Sequence, residues 1–227
     1  MKREIIIISL GGSLITPNHI DTTFLRAFKG AIIKGIKQGK QFVIICGGGV
    51  TARKYQQAAQ AVTRLRSEDI DWLGIHATRL NAHLLRALFY NYAEPRIIKN
   101  PTKVKSFKKK ILIAAGWKPG FSTDYDAVII AEKLKAKRLI NLSNINYVYS
   151  KDPKKEKGAK PVKIISWKEF RMLMPKAWNP GLHTPFDPIA IKRAEKNNLE
   201  VAVISGNKLL HMERYINNQP FQGTRIQ

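Results

Sequence analysis

The chain has one cysteine, Cys46, in 227 residues. A lone thiol cannot form an internal disulfide, and a cytoplasmic setting is the simplest expectation. No apolar run is long enough to span a bilayer, and the opening MKREIIIISLGG reads as a strand running into a glycine turn rather than a signal peptide. Acidic residues are scarce: 16 Asp+Glu stand against 40 Lys+Arg, a net charge of +24. Such an excess attracts polyanions and speeds encounter with anionic ligands. Nucleic-acid binding is compatible with the charge, but it is not the favoured partner. The lysines are spread along the chain. The densest stretches, Lys103–Lys110 and Lys151–Lys163, lack the regular aromatic interleaving of a single-strand platform. A solvated, lysine-biased surface is the simpler account. No composition break or linker divides the chain, so one domain over residues 1–227 is expected, and a hydrophobic fraction of 44% gives it a sizeable core.

What the sequence does have is glycine in particular places. In Phe42–Tyr55 (FVIICGGGVTARKY) an apolar strand runs straight into Gly47, Gly48 and Gly49, and a helical segment follows. A continuous apolar run belongs to a strand buried on both faces, hence to a parallel sheet under helices. Three residues without Cβ let a ligand approach the backbone, and the amides at the start of the next helix suit an anion. Arg53 lies one helical turn beyond Gly49, where a guanidinium fork could clamp a phosphate. The alternative is a tight strand–helix turn with a solvent-facing arginine.

The same device occurs twice more. Glu4–Leu10 is a buried strand followed by Gly11, Gly12 and Ser13, whose amides and hydroxyl suit phosphate oxygens. Lys110–Ala115 is a strand leading into the loop Gly116–Ser122, and Thr123 with Asp126 reads as a capping box for a helix to about Lys135. Ligands in open α/β sheets gather at the carboxyl ends of strands, so three such turns point to one site.

Between these units, Asp21 caps a helix from Thr22 to about Gln38, ended by Gly39. Helices are also expected from about Val50 to Arg66 and from about Asp71 to Tyr92. Leu73, Ala77, Leu80, Leu84 and Leu88 form the core stripe of the second, and Asp71 is either its cap or a ligand for sugar hydroxyls. Pro95–Ile98 reads as a short strand and Arg138–Leu142 as a buried one. A polar loop, Ser143–Pro153, places Asp152 on a turn, either as a magnesium-linked acid or as a simple Asx turn. A basic hairpin or loop comes next, then a helix opened by the capping box Ser166/Glu169 and an irregular stretch over Pro175–Pro185. Asp187-Pro188 opens a helix to about Asn197, Val201–Ser205 is a strand, Lys208–Asn217 a helix, and the tail GTRI pairs at a sheet edge. The alternation gives a three-layer αβα sandwich with a mostly parallel central sheet.

The loops together resemble the amino acid kinase superfamily and, within it, the archaeal-type uridylate (UMP) kinases. The resemblance runs the length of the chain: SLGGSLI, GGGVTARKY, DWLGIHATRLNAHLL, GWKPGFSTDYDAV, SNINYVYSKDPKK, FDPIAIKRA and the closing GTRI. It implies an amino acid kinase-like fold and transfer of the γ-phosphoryl of ATP to UMP, with Mg2+, giving UDP and ADP. Gly11, Gly12 and Ser13 would cradle the ATP phosphates, and Gly49 and Arg53 would hold phosphates. Gly48 would contact UMP and Asp71 its ribose. The loop Trp117, Lys118, Pro119, Gly120, Phe121, Ser122 and Thr123 would wrap UMP. Ser143, Asn144, Tyr149 and Asp152 would line the ATP site, with Asp152 an organiser rather than a base. A homo-oligomer, a hexamer in the family pattern, is implied as well.

The chain departs from the superfamily pattern at several positions. Ser9 stands where many members have lysine, and archaeal uridylate kinases also tend to lack that lysine. Asn146-Tyr147 replaces Asp-Gly, so the backbone there is expected to shift if the position needs φ > 0. Trp117 replaces threonine, and Lys118 is a candidate to restore positive charge. Two alternatives follow: a same-fold kinase of another small acceptor such as isopentenyl phosphate, or a degenerate nucleotide-binding regulatory protein.

Overall fold

The structure, a computed structural model, describes residues 4–153, 156–174 and 185–227. In chain order the strands are β1 (Ile5–Leu10), β2 (Gln41–Cys46), β3 (Ile111–Ala114), β4 (Arg138–Ser143), β5 (Val148–Tyr149), β6 (Pro161–Val162), β7 (Ile164–Ile165), β8 (Glu200–Ser205) and β9 (Thr224–Ile226). Among the described residues seven of them form one sheet in the order β3-β2-β1-β4-β8-β9-β7. The first five are mutually parallel, and β9 runs antiparallel to β8. The helices are α1 (Gly12–Ile15), α2 (Thr22–Lys37), α3 (Gly49–Val62), α4 (Ser67–Leu88), α5 (Thr123–Leu134), α6 (Trp167–Leu173), α7 (Pro188–Lys196) and α8 (Leu209–Ile216).

Because side chains alternate along a strand, the isoleucine run of β1 feeds both faces of the sheet. Ile6, Ile8 and Leu10 join Phe28 and Ile32 of α2, Leu85 of α4 and Met212 and Ile216 of α8. Ile7 joins Val128 and Ile130 of α5, Phe170 of α6 and Ile191 of α7. Two cores on one sheet are the expected three-layer sandwich. Asp21 caps α2 by accepting from the Phe24 amide at 2.8 Å, and Ser166 with Glu169 forms the expected capping box.

The structure corrects several boundaries. Helix α4 starts at Ser67, not near Asp71, and stops at Leu88. Glu68 and Asp69 occupy its first turn, where carboxylates complement the helix dipole, and Arg66 pairs with Asp69 at 2.9 Å. Asp71 is therefore inside the helix and not its cap. Leu80 is 63% exposed rather than core. The buried face of α4 is Ile75, Ala77, Thr78, Asn81, Ala82 and Leu85, because α4 must meet α3 on one side and the sheet on the other. Helix α3 ends at Val62, four residues short of Arg66. Around Pro95–Ile98 only isolated bridges form, Ala93 to Ile111 and Ile98 to Ala114. The tail strand β9 lies between β8 and β7, with β7 outermost. The basic stretch after Asp152 leads back as a hairpin, β5 against β6. Most of the irregular Pro175–Pro185 stretch, residues 175–184, lies outside the described residues.

The ends of β1 and β2 meet backbone to backbone. A Cβ on Gly12 would sit 2.1 Å from the Gly49 amide nitrogen and 2.6 Å from the Gly47 carbonyl carbon. Gly49 has φ +66, and a Cβ there would sit 2.2 Å from the Thr16 hydroxyl and 2.3 Å from the Gly12 carbonyl oxygen. None of these neighbours except Thr16 is a side chain able to turn away. Gly12→Ala is therefore expected to cost at least about 1–3 kcal/mol, as forced overpacking does. Gly30→Ala, on the exposed side of α2 with nothing within 4 Å, should stabilise by about 0.4–1 kcal/mol. Urea unfolding of both variants checks the pair, and equal effects would contradict the contact.

Candidate active site

The chain moves outward from β1 through β2 to β3, then crosses back to β4 and β8 on the other side of β1. That reversal opens a crevice at the carboxyl ends of β1 and β4, the usual ligand position in an open α/β sheet. The Gly11 amide donates to the Leu142 carbonyl at 2.8 Å across this crevice. Just below, Ser9 and Asn141 are register partners on β1 and β4. Each is a buried polar residue between aliphatic neighbours on its strand, and both reach the same carboxylate. The Ser9 hydroxyl donates to Asp124 Oδ1 at 2.7 Å and the Asn141 amide donates to it at 3.2 Å. Burial pushes the Asp124 carboxyl up to about 6, and the charge of Asp187 adds to that, while Ser9 and Asn141 pull the other way.

Gly11 precedes α1, and Gly12 and Ser13 are its first two residues; Gly48 and Gly49 start α3. Asn81 of α4 fastens the second turn, its amide donating to the Gly47 carbonyl at 2.8 Å and to that of Gly48 at 3.3 Å. Arg53, one turn into α3, is exposed, and no described residue pairs with it. Its guanidinium is free to meet an anion at the turn.

The loop Trp117–Thr123 is strapped down at both ends and in the middle. Gly116 donates its amide to the Thr78 hydroxyl at 2.8 Å. At Trp117 the amide donates to Asp126 Oδ2 at 3.0 Å and the carbonyl accepts from Arg79 at 3.1 Å. Asp71 accepts the Gly120 amide at 2.8 Å, with Gly120 at φ +84. The Ser122 hydroxyl donates to Asp187, whose other oxygen caps α7 through the Ile189 amide at 2.6 Å. The cap of α5 is Ser122, which accepts from the Tyr125 amide, and not Thr123. Asp126 is thereby released from the expected capping box and turns to Trp117. On the loop's surface the Lys118 ammonium sits 4.4 Å from the Trp117 ring centre and 5.2 Å from that of Phe121, a cation over two aromatic faces. Phe121 stacks on Tyr125 at 4.9 Å. Lys118 thus adds positive charge to the loop.

On the β4 side, Ser143 ends the strand and its hydroxyl accepts from the Ile145 amide at 3.4 Å; Asn144 is exposed. Tyr149 lies in β5 with Tyr147 against it edge-on at 6.5 Å. Among the described residues the non-glycine positions with positive φ are Lys135, Asn198 and Asn218. Tyr147 therefore takes an ordinary backbone, and the expected shift from replacing glycine does not arise from strain at that residue. Asp152 is exposed, and its carbonyl accepts from the Glu156 amide at 2.9 Å.

The sequence reading passed over Thr78, Arg79, Asn81, Asp124, Asp126 and Asn141 as site residues. Asp187 was read as a cap, which it is, but it also reaches the loop. One signal was available for Asp124: a serine and an asparagine between aliphatic residues of two buried strands require a polar partner.

The amino acid kinase family model matches residues 4–205. A uridylate kinase from Methanococcoides burtonii is 33% identical over 208 residues, covering 89% of this chain and 86% of the relative. One from Thermococcus kodakarensis is 32% identical over 210 residues, covering 91% and 92%. The solved uridylate kinase from Archaeoglobus fulgidus superposes with a TM-score of 0.81 at 27% identity, covering 98% of this chain and 99% of its own. The crevice, the paired glycine turns and the strapped loop thus sit in a chain that belongs to the amino acid kinase family, in the branch of the archaeal uridylate kinases.

Proposed function

We propose that this chain is a UMP kinase, moving the γ-phosphoryl group of ATP to UMP to give UDP and ADP. The observation that carries this reading is the contact between the two glycine turns. It brings the backbone of α1 and of α3 within atomic contact at the crevice, so donors from two strand ends serve one small volume. Phosphoryl transfer asks for little covalent work from the protein; it asks for in-line positioning and stabilisation of charge on the transferred group. Amides of Gly12, Ser13 and Gly49 supply fixed donors that need no reorganisation during reaction, while the Gly11 amide is spent on the Leu142 carbonyl. Arg53, unpaired among the described residues, is a cation one turn away. Gly48 and Asp71 face the acceptor, and the Trp117–Thr123 loop encloses it. Ser143, Asn144, Tyr149 and Asp152 line the ATP side.

Magnesium would accompany ATP. Among the described residues no group of three or more His, Cys, Asp or Glu side chains forms a metal site, and Asp124 and Asp187 are already engaged by hydroxyl, amide or backbone donors. That donor set fits an ion carried chiefly by nucleotide phosphates, as Mg2+ commonly is, with Asp152 as an organiser beside it. When bound, the ion supplies charge neutralisation. Ser9 replaces a lysine by a hydroxyl tied to Asp124, which leaves positive charge at the transfer point to Arg53 and the ion.

No described helix is long and apolar enough to cross a membrane. An oligomer, hexameric in the family pattern, is supported by apolar side chains left exposed on adjoining helices: Tyr55 at 65% and Val62 at 87% on α3, and Leu80 on α4.

Purified protein with ATP and Mg2+ should turn over UMP in preference to CMP, dUMP, AMP and isopentenyl phosphate in a coupled assay. Arg53→Ala should lower kcat/KM by about 10²-fold or more, the scale of losing one donor to the transferring group. Turnover confined to isopentenyl phosphate would move the substrate while keeping the fold. Binding of ATP without any turnover would establish a regulatory protein instead. For assembly, light scattering should give a mass above that of one chain, falling when Tyr55 and Val62 are both changed to aspartate. A monomeric wild type would end the oligomer reading.

A further inference from the structure

Asp126 is 1% exposed, in a chain with few acids to spare. One of its oxygens accepts the Trp117 amide at 3.0 Å, and the other, Oδ1, is buried without a hydrogen-bond partner. A buried, half-satisfied carboxylate is costly to the fold. A valine of similar volume would be cheaper there, since Ala127, Val128 and Ile130 around it are apolar core. Among the described residues the carboxylate's only hydrogen-bond partner is the first amide of the acceptor loop, and the carbonyl of Trp117 is held by Arg79 from α4. Trp117 is thus gripped from both sides, by a carboxyl on α5 and a guanidinium on α4.

We propose that Asp126 is a positioning residue that fixes the start of the acceptor loop through the Trp117 amide, at the expense of stability. The proposal rests on reading residues 117–123 as the acceptor loop. Asp126 reaches no substrate itself. Its effect passes through Trp117 to the Lys118–Phe121 surface and on to Gly120, which Asp71 holds from the other side. The charged groups around Asp126 are Asp124 of its own helix, Asp187 at the start of α7, Arg79 of α4 on the Trp117 carbonyl, and Lys118 on the loop. Ser9 of β1 and Asn141 of β4 bring no charge.

Burial, with added repulsion from Asp187 and Asp124, pushes the Asp126 carboxyl up to about 7 against the pull of the Trp117 amide. In the unfolded chain it ionises near pH ~4. Between these values the folded state holds the proton more tightly, so this residue's contribution to stability falls as pH rises from about 4 to about 7 and stays low above that. Replacing Asp126 by a neutral residue should remove that loss.

The test uses Asp126→Val and Asp126→Asn in the full chain, with three readouts. Hydrogen exchange of the peptide containing Gly116–Ser122 should quicken ~10-fold in the valine variant, the scale of one charge-assisted hydrogen bond, and less in the asparagine variant, which keeps an acceptor. Melting temperature should rise by roughly 2–4 °C in the valine variant at pH 8 and by less at pH 5. In the ATP/Mg2+ assay, KM for UMP should rise ~10-fold with KM for ATP and kcat little changed, again one charge-assisted bond. Unchanged exchange in both variants overturns the proposal whatever the activity. A melting temperature lowered at pH 8 assigns Asp126 an ordinary structural role and also overturns it. A rise in KM for ATP alone overturns it by placing the loop on the other substrate. If no acceptor turns over, the kinase reading fails by itself, and exchange and melting still decide the role of Asp126.

Discussion

The structure depends on two strand ends that touch without side chains between them. Gly12 lies against the Gly47–Gly49 turn so closely that one further carbon would meet peptide atoms. Everything functional is arranged about that contact. It sets the distance between α1 and α3, and Asn81 then fixes the second turn from the α4 side. The sheet below supports it with aliphatic strands buried on both faces, which leave little room for the turns to drift. A rigid floor of backbone donors is what phosphoryl chemistry needs and what a loop of ordinary residues supplies poorly.

The acids are used economically. Of 16 in the chain, Asp71, Asp124, Asp126 and Asp187 all gather around the loop after β3, although the reaction's substrates are themselves anions. Each is committed to hydrogen bonds from the protein: backbone amides for Asp71 and Asp126, Ser9 and Asn141 for Asp124, and Ser122 with a helix cap for Asp187. They act as anchors for the surrounding backbone. The surplus of lysine elsewhere then sets a positive field that favours approach of nucleotides, screened as salt rises.

How far the sequence foretold this depends on the range of the interaction concerned. The five parallel strands, the three glycine turns and the caps at Asp21, Ser166 and Asp187 were legible because each is set by residues within a few positions, whereas Pro95–Ile98 was read as a strand and forms only bridges. The gathering of ligands at strand ends grouped the turns into one site, and family resemblance added the substrates. The cap of α5 was misplaced by one residue because Ser122 and Thr123 are chemically equivalent caps, and only the fold decides which hydroxyl faces the helix. The start of α4 and the exposure of Leu80 were misread because the helix has two partners, α3 and the sheet, and one periodic stripe describes only one of them. Thr78, Arg79 and Asp126 could not be found from spacing. They hold loop atoms up to 38 positions away, and nothing local marks them. Asp124 was within reach, since Ser9 and Asn141 break two apolar strands at the same register level.

The strand order also bears on how the chain is made. The middle one of the five parallel strands, β1, precedes its neighbours in the chain, and β2 follows it within one βα unit. Its other neighbour, β4, begins only at Arg138. As the chain emerges from the ribosome, one edge of this strand of four isoleucines therefore waits unpaired for over half of the chain's length. Such an edge is a template for pairing with another chain, and sheets built from distant partners close slowly. The first half of the protein, β1 to β3 with α2 to α4, can dock as a unit before the second half exists, but it does so with a sticky side. A net charge of +24 makes copies of the chain repel one another, which opposes pairing along that edge.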